Sequence, residues 1–334
     1  NQPTPGTSDP AAIQLRQPYY SQFPWFQGIF VYGPGGYSNY NALQATFVQR
    51  NFHGLTMNLA YTFSRDLGTP PGGNDPYILN SNCISCDYGL HTPTQDLGIT
   101  LVYDIPAINA PAQLLKGWQL SSLINVQSGQ PFYGTTLGSD LAGVNDNRGL
   151  FGGISEPWSL YGSGRNFNNL GKLPNPNGPP FIDCYGPACG SAFPAACTTA
   201  ATAEPVNSSV GTTGLDSLNA AGFCYMSPNG KSVIIPPAQG TFGNMRPGSL
   251  IGAGFHEWDL SVRKNFKVTE RVGLEFSVSA FNVLNNHMYS GGFLGGVVNI
   301  PFFFGQSHGQ PNDSNLLNGT GGARLMSLGL KATF

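Results

Sequence analysis

Six cysteines are the most reactive feature of this 334-residue sequence: Cys83, Cys86, Cys184, Cys189, Cys197 and Cys224. All lie in stretches rich in Gly, Pro and Asn, outside any periodic pattern. An even count confined to such stretches suggests disulfides formed in an oxidising compartment. Cys83-Ile84-Ser85-Cys86 is a CxxC, a spacing shared with redox pairs and half-zinc sites. No second CxxC accompanies it and no βαβ pattern surrounds it, so a loop-closing disulfide is the expectation. Glu257, Asp259 and Arg263 fall at i, i+2 and i+6, on one face of a strand. Glu275 and Lys331 take the same parity in later segments. The five read as a charge ladder on a wetted face; as a carboxylate pair, Glu257 and Asp259 could also do acid–base work. Asp140 through Asn147 is oxygen-rich but lacks the EF-hand spacing and its closing Glu. His53, His91, His256, His287 and His308 are scattered over turns and connections, with no pair at metal spacing. GxSxG, HExxH and P-loop patterns do not occur. The expectation is therefore no catalytic residue, no metal, no cofactor and no enzyme. Aromatic clusters are the better ligand candidates. Tyr19, Tyr20, Phe23, Trp25 and Phe26 precede the first periodic segment, and Phe302, Phe303 and Phe304 lie in the last long connection. They can stack on sugars or apolar ligands, or pack loops against one another.

The elements that must hold these residues have a period of two. Leu55, Met57, Leu59, Tyr61 and Phe63 alternate with Thr56, Asn58, Ala60, Thr62 and Ser64. The same alternation recurs six more times, giving strands near 39–50, 54–64, 96–104, 117–128, 256–266, 271–283 and 324–334. No segment of helical period competes with them. Their connections alternate in length. Short links, a tight turn at 51–54, a Pro-rich link near 105–116 and a turn at 267–270, alternate with excursions at 65–95, 129–254 and 285–322. Such sorting is unusual in a soluble sandwich, whereas outer-membrane barrels place short turns on the periplasmic side and long loops outside. Ten residues at about 3.3 Å each, tilted about 40°, span roughly the 25 Å apolar band.

Composition agrees. Charged residues make up 10% of the chain, aromatics 12%, and the net charge is −2. There is no basic excess for nucleic acid and no apolar run of about 18 residues for a membrane helix. Low-complexity disorder does not fit the aromatic content. Glu257, Asp259, Arg263, Glu275 and Lys331 all avoid the apolar parity, where a cation at the bilayer midplane costs about 2–4 kcal/mol. Lys264 breaks the parity and is expected to snorkel towards the nearby short turn. Trp118, Trp258, Tyr61, Tyr103 and Phe334 are expected to form an interfacial girdle. A soluble antiparallel sandwich is the alternative.

Several motifs carry a resemblance. Tyr40-Asn41-Ala42-Leu43-Gln44, then Arg50-Asn51-Phe52-His53-Gly54-Leu55 and Ala60-Tyr61-Thr62-Phe63-Ser64, resembles a recurring hairpin of TonB-dependent outer-membrane receptors. The closer likeness is to their Oar-like group, which bears a carboxypeptidase-regulatory domain. Gly117-Trp118-Gln119-Leu120 leading to Gln127-Ser128-Gly129-Gln130-Pro131-Phe132 is similar to that group, as is Phe242-Gly243-Asn244-Met245-Arg246-Pro247-Gly248 followed by Trp258 to Phe266. So is Phe281-Asn282-Val283-Leu284-Asn285-Asn286-His287. Met326, Leu328, Leu330, Ala332 and the terminal Phe334 resemble the signal read by the barrel-assembly machinery. The likeness covers about 20–64, 96–132 and 240–334; the stretch 133–240 resembles nothing identifiable.

The resemblance implies a 22-stranded barrel, a plug and a TonB box. The expectation is an all-β, up-and-down transmembrane barrel segment, residues 1–334 forming the C-terminal part of one barrel domain. Its expected partners are outer-membrane lipid, the missing N-terminal strands and plug of the same receptor, TonB through that plug, and the barrel-assembly machinery. The implied function is energised uptake of a bulky nutrient. A surface-exposed adhesive or self-associating protein with disulfide-stapled loops is the alternative.

Overall fold

A computed structural model describes residues 19–25, 36–69, 83–106, 115–129, 131–135, 157–171, 183–208, 211–251, 254–286, 297–299 and 324–334. The alternating segments form one antiparallel meander. Its long strands are β1 (Ser38–Phe52), β2 (Leu55–Gly68), β4 (Gln95–Asp104), β5 (Trp118–Gln127), β12 (Phe255–Lys267), β13 (Gly273–Phe281) and β15 (Leu325–Thr333). They pair in chain order, with the two-residue β3 (Gly89–Leu90) added beside β2. Because each strand reverses the last, the short connections gather at one end of the sheet and the long excursions at the other.

The short-turn end is held by close backbone approaches. Asn51, His53 and Gly54 all have positive φ, +43°, +50° and +86°, which turns β1 into β2. A Cβ on Gly54 would lie 2.4 Å from the Asp104 carbonyl oxygen. Asp104 N–H donates to Gly54 O at 2.9 Å. Asn265 N–H donates likewise to Gly117 O at 2.9 Å. The first two short connections are thus each stitched to a neighbouring strand.

The expected strands are present with small shifts in their ends. β2 runs to Gly68, four residues further than expected, and β13 is shorter than 271–283. The larger difference lies in the excursion 129–254, expected to be a loop. Within it, β7 (Ser159–Tyr161), β8 (Asp183–Tyr185), β9 (Cys224–Met226) and β10 (Val233–Ile235) form a sheet in the order β7-β10-β9-β8. The helix α1 (Ala195–Ala203) packs on it, and a second, α2 (Gly214–Ala221), packs against α1. These helices correct the expectation that no helical segment is present. Both are under ten residues, too short for a period of 3.6 to stand out; α1 reads almost entirely as Ala and Thr. Local chemistry marks α2 better. Thr213 and Asp216 form a capping box, and Gly222 ends the helix at φ +78°.

This folded module has its own core. Cys197, Ala200, Ala201, Leu218, Cys224, Val233 and Ile235 are buried together, with Tyr161, Phe193 and Met226 against them. Trp158, 2% exposed, stacks on Phe223 with centroids 5.3 Å apart. Cys197 and Cys224 are disulfide-bonded across the core. Thr213 holds the Asp216 carboxyl below the usual carboxylate range, and burial pushes the Tyr225 phenol up to about 12.

Candidate functional site

The meander itself is the feature with functional geometry, because register sorts its side chains onto two chemically different faces. On one face a row reads Thr56, Val102, Ser121, Ser261, Ser279 and Ser327 across six strands. Ser261 and Ser279 share a hydroxyl hydrogen bond of 2.9 Å. The five ladder residues lie on this polar face. Glu257 pairs with Asn125, Asp259 with Leu123, Arg263 with Gln119 and Ser277. Glu275 lies between Asn265 and Lys331. The opposite face reads Leu55, Tyr103, Leu120, Val262, Val278 and Leu328 in one row, and Phe47, Leu59, Ile99, Ile124 and Trp258 in another.

Two residues of β5 contradict simple alternation, and the structure explains one. Ser122 lies on the apolar face, where it accepts a hydrogen bond from the Trp258 indole N–H at 2.8 Å. Each polar group satisfies the other, so neither exposes an unpaired dipole on that face. Leu123 takes the polar parity and is exposed; nothing in the structure explains it.

Lys264 corrects an expectation. It is 1% exposed, so it does not snorkel into water. Its ammonium donates to the Lys116 carbonyl and lies 5.2 Å from the Trp118 ring centroid and 4.9 Å from that of Phe266. A carbonyl dipole and two π faces replace the hydration that snorkelling would have kept.

Asp259 also acts locally. Its carboxylate accepts the backbone N–H of Asn282 at 2.9 Å. Asn282 is 2% exposed, with φ +49°. Its amide donates to Asn286 O and its Oδ1 accepts Asn286 N–H, both at 2.9 Å. The Phe281–Asn286 motif is therefore a closed turn that ends β13. Asparagine suits both tasks: it tolerates the left-handed backbone and supplies a donor and an acceptor.

The three long excursions are joined to one another. Leu90 N–H donates to Pro247 O at 3.0 Å, and a Cβ on Gly89 would lie 2.0 Å from that oxygen. His91 N–H donates to Asp66 O at 3.1 Å, and its Nε2 bonds Gly68 O at 2.7 Å. Gly89 and Leu90 are thereby pinned to the returning arm of the second excursion, and His91 to the end of β2. β6 (Pro131–Thr135) pairs with β11 (Leu250–Ile251) and, in parallel, with β14 (Val297–Asn299). β14 belongs to the third excursion, so this small sheet joins the second to the third.

The other candidates separate. Cys83 and Cys86 are disulfide-bonded, as expected of the CxxC, and Cys189 is disulfide-bonded too; the Cys184 side chain lies outside the described residues. Tyr19, Tyr20 and Trp25 belong to a turn in which Phe23 N–H donates to Tyr19 O at 2.9 Å. Trp25 is exposed and meets Phe23 edge-to-face at 6.0 Å. Phe26, Phe302, Phe303 and Phe304 lie outside the described residues. Of the terminal signal residues, Met326, Leu328 and Leu330 project from one face of β15, and Phe334 is exposed beyond its end. Among the described residues no group of His, Cys, Asp and Glu is suited to a metal, and no helix is long and apolar enough to cross a membrane.

A family model described as an outer membrane beta barrel domain matches residues 1–313. The chain belongs to this family. As an outer-membrane β-barrel domain of the bacterial outer membrane, it has a reason for two unlike faces: one meets lipid. No curated protein and no solved structure matches it.

Proposed function

We propose that this chain is the C-terminal part of the barrel of a TonB-dependent receptor, forming part of the wall and mouth through which a bulky nutrient is taken up. The observation that supports this most is the division of connections, with short ones at one end and long, mutually bonded excursions at the other. In this reading the short connections are periplasmic, the excursions extracellular, and the Ser-rich face lines the lumen. Among the described residues β1 and β15 have no outer neighbour in the sheet. Lipid does not tolerate such open edges, so further strands of the same receptor must complete the wall. The plug would couple it to TonB, and β15 would be read by the barrel-assembly machinery.

The reading frame upstream of Asn1 tests this. It should encode a plug, a TonB box and about fifteen further strands, completing a barrel of about 22 as in outer-membrane transporters. An immediate start codon or signal peptide would overturn it. A second reading, a surface module for adhesion, draws on the disulfide-stapled fold of residues 157–251. Loss of the protein that leaves nutrient uptake intact but abolishes cell attachment would favour that second reading.

A further inference from the structure

Glu204 is the C-cap of α1 and is 5% exposed. Ser159 and Tyr161 of β7 and the backbone of Ala238 are its polar neighbours, yet neither carboxyl oxygen completes a hydrogen bond. The N-terminus of α2 closes over the side chain: a Cβ on Gly214 would lie 2.6 Å from Glu204 Cβ. Four parts of the module thus meet at one buried carboxyl.

The groups facing it supply no positive charge. β7 offers Tyr161, whose hydroxyl burial and Glu204 both hold in its protonated form. α1 carries no ionisable side chain, its cysteine being tied up in the disulfide to Cys224. The one charged residue of α2, Asp216, is exposed and turned to Thr213. Residues 236–239 are Pro, Pro, Ala and Gln. A hard metal would need six or more oxygens and more than one carboxylate's charge. The remaining cation is a proton.

We propose that Glu204 is a proton-operated catch: protonated, it holds the end of α1 against β7 and residues 236–239, and ionised it loosens α1 and α2. Burial holds its carboxyl above the usual carboxylate range, and this outweighs the opposing pull of Ser159, Tyr161 and Ala238. The folded module therefore binds the proton more tightly than the unfolded chain does. Its contribution is complete below the usual carboxylate range and is lost as pH rises towards the folded value. The module would be tightest in acid surroundings and would loosen as pH rises, without disturbing the sheet.

Hydrogen exchange on the intact protein in lipid reads this directly. Peptides from 195–221 are compared with β4 and β5 peptides after correction for intrinsic exchange. Between about pH 5 and pH 8, relative protection in 195–221 should fall about tenfold for each unit by which the folded carboxyl is raised. Glu204→Gln should remain protected throughout. Tyr161→Phe removes a hydroxyl that favours the ionised form, so loosening should move to higher pH. Protection in the native protein that does not change with pH overturns the proposal. So does a Glu204→Gln protein less protected than the native one in acid, or a Tyr161→Phe profile that fails to move upward.

Discussion

Replacing Val262 with arginine puts the two-faced sheet to a quantitative test. Val262 lies near the middle of the 13-residue β12, between Leu120 of β5 and Val278 of β13. Its sequence neighbour Ser261 points the other way, between Ser121 and Ser279. If the Val262 face meets lipid, Val262→Arg places a guanidinium near the bilayer midplane at a cost of about 2–4 kcal/mol. Ser261→Arg forfeits the 2.9 Å bond to Ser279, about 1 kcal/mol, and its charge stays in water. The two substitutions introduce the same side chain one residue apart, so arginine's own strand preference is common to both. Folding titrations in denaturant with lipid vesicles should show Val262→Arg the less stable by about 1–3 kcal/mol. Equal costs, or a larger cost at Ser261, would refute the assignment of faces.

Other perturbations test separate parts of the structure. Cys197→Ser should weaken the excursion module by about 3.5 kcal/mol, the chain-entropy value for closing a loop of this length, from a sequence separation of 27. Proteolysis should then cut within 157–251 while the long strands resist. Gly54→Val should impair folding of the first hairpin by more than about 2 kcal/mol, because φ is +86° and the Asp104 carbonyl fills the Cβ position; slower heat-resistant folding on gels would show it. Asn282→Ala should cost about 2–3 kcal/mol in the same titration, and Asn282→Gly less, because glycine keeps the backbone and loses only the side-chain bonds.

How much of this could be read from the residues follows from the range of the interactions. Strand pairing is written locally, as a period of two, and register follows once the apolar sets must share a face; Leu55 to Phe63 and Val272 to Val278 were therefore readable. Glu257 and Arg263 could be placed on the polar face for the same reason. Lys264 could not be resolved, because two of its partners, the Lys116 carbonyl and the Trp118 ring, are about 150 residues away in sequence. Ser122 looks like an error of pattern until Trp258, 136 residues on, supplies its donor. The module was hidden for another reason. Its strands have three residues each, too few to display a period, and its core depends on a disulfide whose pairing spacing alone does not fix. The capping box at Thr213 and Asp216, with Gly222 as the stop, was the local signal that could have revealed α2.

The central claim, that one face of this sheet meets lipid and the other water, is tested most directly by spin labels. Among the described residues no cysteine is free, so single cysteines introduced from 273 to 281 in β13 can each be labelled in the full-length protein in lipid. Collision rates with oxygen should peak at positions 274, 276, 278 and 280, and those with an aqueous nickel complex at 275, 277 and 279, alternating along the strand. Equal access of the nickel complex to both sets would contradict the account.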